Sequence, residues 1–268
     1  MVKKLLGYEI KYYLHIVIFY LPVTFLMGLI VRIVQFFKTD HYIYDFLFSS
    51  SLLLLYVASA VALIATLVLA VVRFYKNLYS AEGYLTFALP VNNHQIIISK
   101  LLGFIIFQVI TFVSVALGWI VAFIGVGSVW ETIKYLFELI ASIPEKGQVA
   151  LIIIEIIILG ALLAITSPLI YYSCITIGQT AKKHKILLSI GIYYGYSVIL
   201  QILSTVFSII FMLMGTEGLF ESLGIWISNH PFASIHIFFW IIILVTAGVG
   251  VALYTVIYKI MTNKLNLE

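Results

Sequence analysis

Val149-Ala-Leu-Ile-Ile-Ile-Glu-Ile-Ile-Ile-Leu-Gly-Ala-Leu-Leu-Ala-Ile-Thr-Ser-Pro-Leu-Ile-Tyr-Tyr172 is apolar along almost its whole length and contains one charged residue, Glu155. A helix rises 1.5 Å per residue, so about 20 such residues cross roughly 30 Å of membrane hydrocarbon. A transmembrane barrel would show short strands of alternating polarity, whereas this run is continuously apolar. Five further runs read the same way: Leu14 to Phe36, Ile43 to Val72, Ile96 to Ile124, Ile186 to Met214 and Phe232 to Tyr258. The expected fold is an all-α integral membrane protein, six transmembrane helices making a single transmembrane domain over residues 1–268.

Composition agrees with that fold class. Of 268 residues, 63% are hydrophobic and only 10% charged, and the mean hydropathy is +1.17. Soluble domains carry about 25% charged residues. The shortfall excludes a soluble globular enzyme, a disordered chain and a disulfide-stapled secreted domain. The net charge of +4 says less than its distribution across the bilayer, and no nucleic-acid partner is expected. Cys174, the single cysteine, allows no internal disulfide and reads as a small buried apolar residue.

Lysines and arginines orient the spans. With both ends inside, the cytoplasmic set is Lys3, Lys4, Lys11, Arg73, Lys76, Lys100, Lys182, Lys183, Lys185, Lys259 and Lys264, or 11 of the 15, leaving Arg32, Lys38, Lys134 and Lys146 outside. That asymmetry predicts an N-in, C-in topology. The opening Met1-Val2-Lys3-Lys4 leads into an apolar run too long for a signal-peptide core, which is expected to be a retained first span. The longest cytoplasmic segment, Arg73 to Gln95, is too short to fold alone, so no appended soluble domain is expected.

Short elements fall between the spans. Leu6, Ile10, Tyr13 and Val17 form one helical stripe opposite Lys4 and Lys11, which predicts an N-terminal amphipathic helix, either a basic anchor or a docking element. Trp130 to Ile143 reads as an outer interfacial helix, with Glu131, Lys134 and Glu138 opposite Ile133, Leu136, Phe137 and Ile140. It either lies flat on the outer leaflet or forms a lid beside a substrate exit. Gly215 to Pro231 holds Leu219, Phe220, Leu223, Trp226 and Ile227 at helical spacing and fits a short outer or re-entrant helix. Ala58, Ala62, Thr66 and Ala70, together with Gly191 and Gly195, supply small residues for close helix contact.

Catalytic motifs are missing from the sequence. It contains no Gly-x-x-x-x-Gly-Lys-Ser/Thr loop, His-Glu-x-x-His pair, Gly-x-Ser-x-Gly elbow or Cys-x-x-Cys. The chain is therefore not expected to be an enzyme, to hydrolyse ATP itself or to hold a metal. His15, His41, His94, His184, His230 and His236 are scattered and read as interfacial. Glu155 is the intramembrane candidate: a carboxylate there faces a cavity or a partner, unless the span starts later and leaves it at the outer interface.

Arg73-Phe-Tyr-Lys76, Glu82-Gly-Tyr-Leu-Thr-Phe-Ala-Leu-Pro90 and Asn92 to Gln95 make the most informative loop. Arg73 and Lys76 close the second span, Glu82 to Leu89 can form a short exposed helix, and Pro90 stops it. Asn92 and Gln95 have capping-box spacing at the start of the third span. An exposed face bearing Tyr84, Leu85 and Phe87 is more than a polar turn requires. Here the sequence resembles the permease subunits of type-two ATP-binding-cassette (ABC) exporters, in particular small six-span bacterial ones. The likeness rests on these patches, on Leu5-Leu-Gly-Tyr-Glu-Ile-Lys11, on Ser99-Lys-Leu-Leu102 and on Ile177-Gly-Gln-Thr-Ala-Lys-Lys-His184.

The resemblance implies a coupling helix seated on a separate ATPase subunit, with Glu82, Gly83, Tyr84, Leu85, Thr86 and Phe87 as coupling residues. Lys182 and Lys183 would lie in a second cytoplasmic loop at that ATPase. The amphipathic segment would correspond to the family's connecting helix, although it is short, and Gly215 to Pro231 to its re-entrant hairpin. ATP and Mg would belong to the partner, with no cofactor on this chain. The expected partners are the ABC ATPase, a second copy or similar permease chain, and membrane lipid. The expected setting is the bacterial cytoplasmic membrane, and the expected task is export of an amphiphilic peptide, antibiotic or lipid. An ATP-independent carrier or channel is the alternative.

Overall fold

A computed structural model describes residues 1–39, 42–124, 127–213 and 221–263. Among these the chain is helical, without a strand. The helices are α1 Val2–Phe36, α2 Tyr42–Tyr79, α3 Ala81–Phe87, α4 Asn93–Phe123, α5 Gly127–Ser142, α6 Lys146–Gly178, α7 Lys185–Leu213, α8 Glu221–Asn229 and α9 Pro231–Asn263. Six of them, α1, α2, α4, α6, α7 and α9, are long and apolar enough to cross a membrane. By length and composition this is a multi-pass membrane protein.

The predicted spans sit inside these helices, which run longer because apolar runs mark only the hydrocarbon-crossing part of each. Two expected ends differ: Ile124 is the C-cap of α4, and Met214 lies outside the described residues. The N-terminal amphipathic segment is the start of α1 itself, since no break separates it from the first span. Its stripe faces as the spacing predicts, with Tyr13 and Val17 buried, Leu6 and Ile10 partly buried, and Lys4 and Lys11 exposed. Pro22 in α1 and Pro168 in α6 lie inside continuous helices, a placement that membrane helices tolerate.

Three further expectations are corrected. The short helix of the loop ends at Phe87 rather than Leu89, with the Ala88 N–H donating to the Tyr84 carbonyl at 3.1 Å. Pro90 has no N–H to continue the ladder. Asn92 caps α4 in extended geometry but makes no side-chain capping bond, so the capping box does not form. Phe87 is half-buried, whereas Tyr84 and Leu85 are 58% and 75% exposed. Residues Gly215, Gly218, Leu219 and Phe220 of the proposed re-entrant element lie outside the described residues. Trp226 of α8 is exposed and stacks on His230 at 5.2 Å.

The chain forms two compact units, Met1–Ser142 and Ile143–Glu268. In the first, α1 and α4 run parallel in close register. Tyr13 stacks on Phe107 at 4.9 Å, Thr24 Oγ1 lies 3.0 Å from Ser114 Oγ, and Gly28 meets Gly118. A side chain at Gly28 would run into the Gly118 carbonyl, and one at Gly118 would lie 2.7 Å from the Thr24 carbonyl. The two glycines thus let the backbones touch. α2 runs antiparallel to both, its Ala62, Thr66 and Ala70 buried. Thr66 hydrogen-bonds Tyr20 at 2.6 Å and Thr111 at 2.8 Å, and Trp119 Nε1 donates to Ser59 Oγ at 3.1 Å. Hydroxyl pairing of this kind joins spans where lipid offers no competing partner.

In α5 no described side chain from Trp130 to Ser142 is buried. In the second unit α6 and α9 run parallel. An added Cβ at Gly250 of α9 would lie 2.7 Å from Thr166 Cγ2 of α6. α7 turns back antiparallel on α6, with Gly178 against Ser189 and Tyr171 stacked on Tyr193 at 5.3 Å. Cys174 is buried on α6.

Candidate functional site

α1 begins, α2 ends and α4 begins at one end of the first unit, and α3 is held against that end. Glu9, one turn before Tyr13 on the packed stripe of α1, is 5% exposed. A carboxylate buried to that degree needs compensating charge and hydrogen bonds. Lys100 Nζ of α4, 3% exposed as a residue, donates to Glu9 Oε1 at 2.9 Å. Arg73 Nε of α2 donates to Glu9 Oε2 at 3.3 Å. Arg73 Nη1 also reaches Glu82 Oε2 of α3 at 3.4 Å, and its guanidinium lies 4.2 Å from the centroid of the Tyr12 ring. Two anions and two cations cancel, so the cluster carries no formal net charge.

Backbone choices make room for this cluster. A Cβ at Gly103 would lie 3.2 Å from Glu9 Cβ, so glycine there lets the Glu9 stem lie against α4. α3 is tied in by a second route: Thr86, buried, donates from Oγ1 to the Asn77 carbonyl of α2 at 2.9 Å. Gly83 is buried against the same support, leaving Tyr84 and Leu85 to project outward. The six expected coupling residues therefore split by role. Glu82, Gly83 and Thr86 anchor α3, Tyr84 and Leu85 form its exposed face, and Phe87 lies between.

Glu9, Arg73 and Lys100 were not singled out by sequence as site residues, although each lies in a patch that carries the resemblance. The available signal was a charge of matched sign at each of three adjoining span ends. It was hidden because charges at span ends ordinarily serve orientation.

The second unit holds a separate polar constellation. Glu155 is 5% exposed and faces α9. His236 Nδ1 lies 2.9 Å from both Glu155 carboxylate oxygens, and its Nε2 lies 2.8 Å from Gln148 Oε1. Reading the histidines as scattered interfacial residues missed His236. No local motif places it, since its partners lie 81 and 88 residues away in sequence. Lys182 and Lys183 are exposed between α6 and α7, in the second unit, while α3 belongs to the first. Among the described residues no group of three or more His, Cys, Asp or Glu side chains could hold a metal ion.

Comparison with family models, curated proteins and solved structures finds no match to this chain.

Proposed function

We propose that the chain is the membrane-spanning permease subunit of a type-two ABC exporter, with α3 as the element that receives movement from a separate ATPase. The observation that carries this reading is the Glu82–Arg73–Glu9–Lys100 cluster. A small helix with an exposed aromatic and aliphatic face is tied by the exposed Glu82–Arg73 pair and by buried Thr86 to α2, and Arg73 in turn reaches buried Glu9 and, through it, Lys100 on the other two long helices. A push on the exposed face of α3 would be delivered to the ends of α1, α2 and α4 together instead of being absorbed by a loose loop. The likeness in sequence at the same patches, and the lack of a P-loop, give the same assignment from the motif side.

In this proposal the topology is N-in, C-in in a bacterial cytoplasmic membrane, which puts α3, Lys182 and Lys183 on the ATP side. ATP and Mg are held by the partner, and two permease chains complete the transporter. α7 fits such pairing. None of its described residues is buried, and it exposes Gln201, whose amide is expensive to present to lipid, while the Thr205 and Ser208 hydroxyls donate to the Gln201 and Ser204 carbonyls of the same helix. That face of α7 would lie against the second permease chain or along the route of an amphiphilic substrate.

Affinity purification from native membranes in mild detergent tests the assignment directly. Recovery of a P-loop ATPase in near-equal amount is expected, and Tyr84→Ala/Leu85→Ala should retain membrane insertion while losing that ATPase. Tyr84 and Leu85 are the better pair because half-buried Phe87 also supports the fold. Recovery of the chain alone, under conditions that preserve a known ABC complex, would favour the ATP-independent carrier. The observation on that side is the buried Glu155–His236 pair, the kind of intramembrane ionisable group that proton-coupled carriers use.

A further inference from the structure

We propose that the loop between α6 and α7 binds an anionic phospholipid, whose headgroup phosphate is taken by Lys182, Lys183 and Lys185. The proposal rests on the second unit alone, holds for either orientation of the spans and does not depend on the ABC reading.

The loop runs Gln179-Thr-Ala-Lys-Lys-His-Lys185, and its backbone keeps it close to the helix ends. The Thr180 N–H donates to the Ile177 carbonyl at 3.0 Å and the Ala181 N–H to the Gly178 carbonyl at 3.3 Å, which winds the chain onward from α6. His184, at φ 53°, then turns it into α7, where the Leu188 N–H donates to the His184 carbonyl at 3.0 Å. Lys182 and Lys183 are exposed and Lys185 is partly buried. Lys259 of α9 is exposed toward the same end. α6 and α9 run parallel, and counting on from the contact of Gly250 with Thr166 sets Lys259 level with Ile175.

These cations have no counter-charge nearby on their own elements. Among the described residues, no Asp or Glu occurs on α6 beyond Glu155, in the loop, on α7 or on α9. The first unit is built differently, since its Arg73 and Lys100 are answered by Glu9 and Glu82. Like charges gathered at one end repel one another, and an anion from outside the chain relieves that repulsion.

A layer of phenols points to a lipid as the source of that anion. Tyr171 of α6 stacks on Tyr193 of α7 at 5.3 Å, and Tyr194 is 68% exposed. Tyr254 and Tyr258 of α9 fall level with Ile170 and Cys174 by the same count. Tyr171 lies seven residues before Gly178, and Tyr193 eight after Lys185, so the layer sits about 10–12 Å along the helices from the loop. Tyrosine rings collect at the membrane–water interface, and lysines at span ends just beyond them reach the lipid phosphates. A loop this short holds its lysines at that level, and a soluble anion would have no use for the phenols beneath.

The test is lipid retention. The full chain is taken from nanodiscs of equal phosphatidylcholine and phosphatidylglycerol into native mass spectrometry, and the lipids still bound are identified. The wild type is expected to retain phosphatidylglycerol in preference. Lys182→Gln/Lys183→Gln/Lys185→Gln should reduce that preference at least about tenfold, and the corresponding triple change to Arg should keep it. Lys38→Gln/Lys134→Gln/Lys146→Gln, which removes as much charge elsewhere, should keep it too. An unchanged preference in the first variant would overturn the proposal, as would an equal loss in the first and third, which would assign the effect to net charge. Displacement of the lipid by excess inorganic phosphate would overturn it in favour of a soluble anion. If the first variant kept its lipid but lost a co-purifying ATPase, these lysines would belong to that partner instead.

Discussion

Glu9 is where the chain takes its largest electrostatic risk in the first unit. It buries a carboxylate on α1 and answers it with Lys100 at 2.9 Å and Arg73 at 3.3 Å. Burying such charges is costly, and removing one partner is worse than removing both, because the survivor is left buried and unpaired. Glu9→Ala should therefore lower stability by about 3–5 kcal/mol. Glu9→Leu/Lys100→Met, which deletes both charges and keeps the volume, should recover most of that loss. Denaturant or thermal unfolding in detergent measures the pair. If the single and double variants lose stability equally, Glu9 and Lys100 are not coupled and the bracing of α3 has another origin. Arg73 would remain in the double variant with Glu82 and the Tyr12 ring as its partners, so any residual defect should appear at α3.

At the level of helices, periodicity and apolar content located the long helices and the packed stripe of α1, because apolar content and 3.6-residue spacing are local properties of the chain. Ala62, Thr66 and Ala70 were legible for the same reason and are buried against the neighbouring helices. Glycine was not. Gly191 and Gly195 have the spacing of a packing motif but nothing within 4 Å of the place a Cβ would occupy, whereas Gly28 and Gly118 have no motif and meet backbone to backbone. Which glycine is used depends on the register between α1 and α4, and register is a property of two segments about 90 residues apart in sequence. The same holds for Glu155, visible as a lone acid, and His236, invisible until α9 lies beside α6. Gly118→Leu should push against the Thr24 carbonyl and cost about 1–3 kcal/mol or more, while Gly191→Leu should leave the unfolding midpoint of the isolated chain nearly unchanged. Equal effects at the two positions would contradict the α1–α4 contact.

For the whole molecule, the orientation of the spans decides whether α3 can meet an ATPase at all. In the proposed N-in topology, the end with Lys3, Lys4 and Lys11 would lie in the cytoplasm. Lys182, exposed between α6 and α7, should lie on that same side, and Lys134, exposed on α5, on the other. In a Cys174→Ser chain, whose native thiol is buried in any case, Lys134→Cys should react with a membrane-impermeant maleimide in intact cells. Lys182→Cys should react only after permeabilisation. The reversed pattern would put α3 outside, away from ATP, and would remove the basis for a coupling role however well α3 is braced. The labelling experiment thus decides which compartment α3 faces, independently of what it does there.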